Sequence, residues 1–209
     1  YLHVIGKEVI DNKGDKIILK GMGLGGWLVP EGYMLGTWGS PTSIRNRITD
    51  LIGEDSTEAF YEKFEKNYVA EEDINQLAEW GFNSVRLPFH YKTLSPTYGS
   101  FNEKGFSVID SVIAWCSRNE IYLILDMHVA PGSQSADENA DGDEGAKLWD
   151  SPENQEWAVD IWGEIARRYA TERWIGGYDL LNEPVLFNGG SQVRNLQRRM
   201  RTVSYTHLT

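Results

Sequence analysis

The sequence predicts an α/β protein of the (β/α)8, or TIM, barrel class, truncated after about four βα units and preceded by an N-terminal β-hairpin. Three observations carry the prediction. Apolar runs of strand length alternate with segments of helical periodicity, the pattern of βα units around a parallel sheet. Polar residues with chemistry to offer recur just after successive strands: His90, His128 and Glu183. A doubly wound sheet gathers such residues at one switch point, whereas a barrel carries them on every strand end. A full barrel takes roughly 250 residues, and four strands already use up the 209 present here.

Residues 2–20 read as a hairpin, with HVIGKEVI and DKIILKG flanking the turn DNKG. The second arm runs on into GMGLGGWL, the first barrel strand, near 17–24. Its glycines suit close backbone approach, and no GxxxxGK[ST] pattern marks a phosphate loop. Helices are expected at 56–67 and 71–80. The second carries Ile74, Leu77 and Ala78 on one face and stops at Gly81. A second strand follows at 82–88. Residues 104–119 repeat Val108, Ile109, Val112, Ile113 and Cys116 at helical spacing. IYLILDMH, the third strand at 121–127, is continuously apolar, as in a strand buried on both faces.

A long polar loop spans 130–150. Ser151 then caps a helix with Pro152 at its first position and a stripe of Trp157, Ile161, Ile165 and Tyr169. The fourth strand is placed at 178–182. Beyond it, the spacing 193, 196, 200, 203 marks a basic amphipathic helix on the outside. Trp80, Trp115, Trp157 and Trp162 fall on helical patterns and are expected in the core. SYTHLT, residues 204–209, reads as a non-native tail, leaving 1–203 as the amino-terminal half of one barrel domain.

Composition narrows the function. An apolar fraction of 41% supports a core, and no apolar run nears the 18 or so residues of a membrane helix. The net charge is −11, from 31 acids against 20 bases, which argues against nucleic acid or an anionic membrane as partner. A neutral or cationic substrate fits better. The lone cysteine, Cys116, allows no intrachain disulfide and sits on an apolar stripe as inert core. The chain opens at Tyr1 without a signal peptide and reads as already trimmed.

The stretch YDLLNEP, 178–184, ends an apolar run on Asn182, Glu183 and Pro184. A residue before proline is pushed towards extended geometry, so Glu183 is expected to stay extended at a strand end. Burial there raises a carboxyl pKa, which suits a general acid near neutral pH. Arg86 shares a strand face with Ser84, opposite Val85 and Leu87, and so points into the barrel. It either satisfies a buried carboxylate or holds a catalytic one ionised. His90 and His128 hydrogen-bond substrate hydroxyls, or are structural, or bind a metal with Asp126. Their spacing matches no metal motif. Asp137, Asn139, Asp141 and Gly142 imitate the start of a calcium loop, but Leu148 stands where the loop needs glutamate, so a solvated acidic loop is the default. Trp27, Tyr33, Trp38 and Trp149 lie in loops at the strand-end edge, either stacking on sugar rings or packing the loops.

Four segments in order resemble the amino-terminal half of glycoside hydrolase family 5, the cellulase and β-glucanase family: LKGMGLGGWL, NSVRLPFH, DMHVAPGSQ and LLNEP. The first is most similar to the exo-β-1,3-glucanase branch. The resemblance implies a TIM barrel that hydrolyses β-glycosidic bonds of a β-glucan with retention, by two glutamates and without cofactor or metal. It implies Glu183 as general acid/base, Asn182 on the sugar 2-hydroxyl, Arg86 supporting the nucleophile, and His90 and His128 lining the cleavage subsite. The nucleophile, on the family's seventh strand, lies outside these residues. The implied setting is extracellular or periplasmic, the intact enzyme a monomer, and this chain inactive alone. The alternatives are a non-catalytic carbohydrate-binding barrel, an inactive fragment, or a metal-dependent barrel hydrolase.

Overall fold

The computed structural model describes residues 2–11, 13–186 and 190–206, the last three without side chains. Residues 207–209 of the expected tail therefore lie outside the described residues. The chain opens with a small antiparallel sheet in the order β1 (His3–Ile5), β2 (Glu8–Ile10), β3 (Lys16–Ile17). This is one strand more than the hairpin expected, because Gly6, at φ 64°, folds HVIGKEVI back on itself. The anticipated turn joins β2 to β3. There the Asp11 carboxylate accepts the backbone N–H groups of Lys13 and Asp15 at 2.8 and 2.9 Å.

Four parallel strands follow in the order β4 (Gly21–Gly23), β5 (Ser84–His90), β6 (Tyr122–Val129), β7 (Ile175–Asp179). Their order matches the sequence order, as in a barrel wall. Val85, Leu87 and Phe89 of β5 and Leu123, Leu125 and Met127 of β6 are fully buried against the helices. The alternate residues, Arg86 and His90 on β5 and Asp126 and His128 on β6, take the opposite, inward face. Arrangement and connections are those of half a (β/α)8 barrel.

Helices α1 (Gly32–Leu35), α2 (Pro41–Ile52), α3 (Glu54–Tyr68) and α4 (Glu71–Glu79) separate β4 from β5. α5 (Tyr91–Leu94) and α6 (Glu103–Arg118) lead to β6. A 3-10 turn at Glu138–Ala140 interrupts the long loop, α7 (Pro152–Arg168) leads to β7, and α8 (Gly190–Thr206) ends the description. The Ser151 cap and Pro152 start of α7 are as expected, with the Ser151 hydroxyl accepting the Asn154 N–H. Leu196 and Met200 of α8 are buried, so its stripe packs inward and its basic side outward, where Arg199 pairs with Glu156. Cys116 is buried and free, its thiol pushed up to about 12 by burial. Among the described residues no helix is long and apolar enough to cross a membrane.

Two expectations fail, and one helix is unanticipated. α2 stands where the sequence reading assigns no element. Its start, Ser40–Pro41, repeats the Ser151–Pro152 signal, and the Ser40 hydroxyl accepts the Ser43 N–H at 3.0 Å. Trp80 is 67% exposed, because α4 ends at Glu79 and leaves the indole beyond the packed stripe. The fourth strand runs 175–179, not 178–182. Its pairing with β6 ends at Asp126–Asp179. The next carbonyl, of Leu180, is taken by the buried Trp162 indole N–H at 3.0 Å, and the chain turns out of the ladder.

Candidate active site

The inward face of β5 and β6 meets the exit of β7 in a cluster of charge. The Arg86 guanidinium lies 2.9 Å from Asp126 and 2.9 Å from Asp179, and donates to the Asn182 side-chain oxygen at 2.8 Å. It thus holds three acceptors from two strands. The structural possibility for Arg86 is realised: Asp126 is wholly buried and paired with it. Burial pushes the Asp126 carboxyl up, opposed by the bond to His128 and by the Arg86 charge.

His128 is oriented by the same aspartate. Its Nδ1 lies 2.7 Å from Asp126 Oδ2, leaving Nε2 towards the Asn182 amide nitrogen at 3.5 Å and Glu31 at 3.9 Å. Because Asn182 accepts from Arg86 through its oxygen, its NH2 group faces His128. Arg86, His128 and Asn182 are therefore brought together.

His90 is not part of that group. Its Nδ1 accepts the Lys92 backbone N–H at 3.1 Å, and its Nε2 faces Asp141 at 3.2 Å. Accepting at Nδ1 fixes the neutral ring with its proton on Nε2, donated to Asp141. Both nitrogens are used, so none is left for a sugar hydroxyl. Burial holds the His90 pKa below its usual range, outweighing the nearby Asp141.

Asp141 belongs to the loop that resembles a calcium site. Its carboxylate instead accepts from protein: the Thr42 N–H at 2.8 Å, the Thr42 hydroxyl at 2.6 Å and His90. Burial alone would raise its pKa, but these donors hold it well below the usual carboxylate range. Glu138 accepts the Gly39 N–H at 3.0 Å, and Asp143 accepts the Ser40 hydroxyl at 2.5 Å. The acids of the loop therefore fasten it to the start of α2. Gly142 is a glycine because a Cβ there would sit 2.4 Å from the Ser135 carbonyl. Among the described residues no cluster of three or more His, Cys, Asp or Glu side chains is placed to hold a metal.

Glu183 departs furthest from expectation. It is exposed rather than buried, and its φ is 41°, not extended. Gln134, wholly buried, supplies the reason. Its side chain accepts the Ala130 N–H at 3.0 Å and donates to the carbonyls of His128 at 2.7 Å and Asn182 at 2.8 Å. Its own carbonyl accepts the Val185 N–H, and Met127 accepts the Asn182 N–H. These bonds fold residues 182–185 into a turn against the loop and override the proline's local preference. The Glu183 carboxylate projects at the rim, where it accepts from the Asn139 amide at 2.9 Å.

The aromatic residues divide. Trp27 and Trp149 are buried, their indoles donating to the carbonyls of Glu65 at 2.7 Å and Gln134 at 2.9 Å. No face of either is open for stacking. Trp38 is 72% exposed, with the Arg47 guanidinium 5.3 Å from its ring, and Tyr33 is also exposed. Glu31, buried beside His128, escaped the sequence reading. A lone acid in a loop carries no local signal. It pushes the neighbouring Tyr33 hydroxyl up.

Comparison with known proteins bears on the family and the fold. The sequence profile described as Cellulase (glycosyl hydrolase family 5) matches residues 47–203. A β-xylosidase of Phanerodontia chrysosporium is 36% identical over 187 residues, 88% of this chain and 39% of its own length. Endoglucanase C of Acetivibrio thermocellus is 38% identical over 131 residues, 60% of this chain and 37% of its own. The chain thus spans about two fifths of the length of the curated relatives it matches. In the crystal structure of an endogalactoceramidase, the same fold covers 99% of this chain and 50% of that one, with a TM-score of 0.70 at 18% identity. The chain belongs to glycosyl hydrolase family 5.

Proposed function

We propose that this chain carries the acid/base half of a retaining β-glycosidase site, with Glu183 as the proton donor and a β-glucan as substrate. The observation that supports the reading is the turn that sets Asn182 against Arg86 and His128 at the strand-end mouth and carries Glu183, the next residue, at its rim. In the first step, the Glu183 proton passes to the glycosidic oxygen as the C1–O bond breaks and a carboxylate bonds C1. In the second, water attacks C1, the C1–carboxylate bond breaks to release the nucleophile, and Glu183 takes the water's proton. The attacking carboxylate comes from outside these 209 residues.

The second carboxylate of a retaining site stands about 5–5.5 Å from the acid/base. Asp126 and Asp179 flank one arginine and Glu31 stands by His128, an acidic setting that suits the positive charge that develops on the sugar ring. Asn182 and His128 present an N–H and a ring nitrogen to sugar hydroxyls, and the open face of Trp38 suits a sugar ring further out. The family and the endoglucanase relative support a glucan, and the opening strand favours a β-1,3-linked one. A polymer of that kind is met outside the cytoplasm.

The test is Glu183→Gln in the full-length protein. Hydrolysis of unactivated β-glucan should fall by about a hundredfold or more. Turnover at the wild-type rate would end the proposal. Glucan binding by the unaltered protein, with no product, would point to a carbohydrate-binding barrel instead.

A further inference from the structure

Beyond the residues that face the substrate, the loop 137–143 holds the acid itself. Three of its four carboxylates are fastened to protein: Glu138 to the Gly39 N–H, Asp141 to Thr42 and His90, and Asp143 to the Ser40 hydroxyl. The Asp141 carbonyl also accepts the Ser133 hydroxyl at 2.8 Å. These anchors come from α2, from the end of β5 and from the loop's own base. Between the first two anchored acids stands Asn139, half-buried, whose amide N–H meets Glu183 Oε2 at 2.9 Å. A side chain at the tip of a long loop is ordinarily free to move. This one is fixed on both sides and aimed at one oxygen.

We propose that Asn139 is a positioning residue for Glu183. Its N–H fixes Oε2 and so directs Oε1, the oxygen that carries the proton, towards the glycosidic bond. His90 and Thr42 act one step further back, through Asp141, by holding the loop. The inference rests on Glu183 being the acid/base. It also assigns a task to His90, whose two ring nitrogens are committed to protein.

A misaimed acid matters in proportion to how much the leaving group needs a proton. The experiment therefore compares two substrates in the full-length protein: an unactivated β-oligoglucoside and its 2,4-dinitrophenyl glycoside, whose leaving group departs without protonation. Asn139→Leu removes the donor at similar volume. The rate of the glycosylation step should fall about tenfold or more for the unactivated substrate and by less than about threefold for the activated one. The ratio of the two rates does not depend on how much of the variant is folded. Asn139→Ser, a smaller change, should shift the ratio in the same direction. Equal losses on both substrates, or no loss on either, would overturn the inference. Glu183→Gln, measured alongside, separates the two ideas. If it alone shifts the ratio, Glu183 is the acid and Asn139 does not position it. If it leaves both rates intact, the acid assignment falls and the inference with it.

Discussion

Arg86 and Asp126 meet at 2.9 Å inside the sheet, and the aspartate's second oxygen, Oδ1, is buried with no hydrogen-bond partner among the described residues. One guanidinium therefore carries much of the burden of keeping a wholly buried carboxylate in place. Arg86→Leu should destabilise the full-length protein by about 3 kcal/mol, because removing one partner leaves an uncompensated buried charge. Arg86→Lys should recover little, since a point charge cannot reach Asp126, Asp179 and Asn182 together. Urea unfolding checks both. A loss under about 1 kcal/mol for Arg86→Leu would contradict the pairing.

Acid should loosen the loop before it unfolds the barrel wall. The folded-state pKa of His90 lies below its unfolded value of about 6.5, so below that pH the unfolded chain takes up a proton that the folded one refuses. Stability then falls as the pH drops. Asp141, held low in the folded state, adds a second loss below about pH 4, where the unfolded carboxyl protonates first. His90→Gln should lower the melting temperature at pH 7 yet flatten its decline between about pH 6.5 and 5. An unchanged slope would show that His90 is not neutral in the folded protein.

Gln134 joins the β6 exit to the turn that carries Glu183. Gln134→Ala leaves the Ala130 N–H and the His128 and Asn182 carbonyls without their bonds, at a cost of about 3 kcal/mol. It should also lower activity on unactivated substrate, because the turn at 182–185 loses its support. Thermal melts with paired rate measurements check this. Stability lost with full activity retained would mean that the turn holds without Gln134.

The 209 residues expressed by themselves should associate. β4 and β7 are the two edges of the parallel sheet, β4 is exposed along its length, its own Met22 included, and Ile18 lies open just before it. Unpaired edges of this kind invite pairing with another chain. Light scattering coupled to size exclusion should give a mass above that of one chain. A monomer with a cooperative melt would contradict the expectation.

The site was legible where its logic is local. Strand alternation alone aimed Arg86 inward, and a four-residue spacing placed the α6 core. What escaped depends on contacts distant in sequence. Glu183 is turned by Gln134, which lies far back along the chain across the loop. His90 is saturated by an aspartate in a loop whose acids imitate a calcium site. Trp27 is buried because a carbonyl on α3 meets its indole. α2 is a different case: Ser40–Pro41 is the same start signal as Ser151–Pro152, hidden among aromatic loop residues.

The backbone of Glu183 has a consequence for how this protein can be improved. A glutamate at φ 41° sits in a region where a side chain is disfavoured by about 1–2 kcal/mol relative to glycine. Glu183→Gly should therefore raise the melting temperature of the full-length protein while removing the carboxyl proposed as its proton donor. A falling melting temperature would show that the bond to Asn139 outweighs the backbone term. Selection for thermal robustness alone would favour discarding this side chain. Screens for hardier variants therefore need to read turnover together with heat resistance.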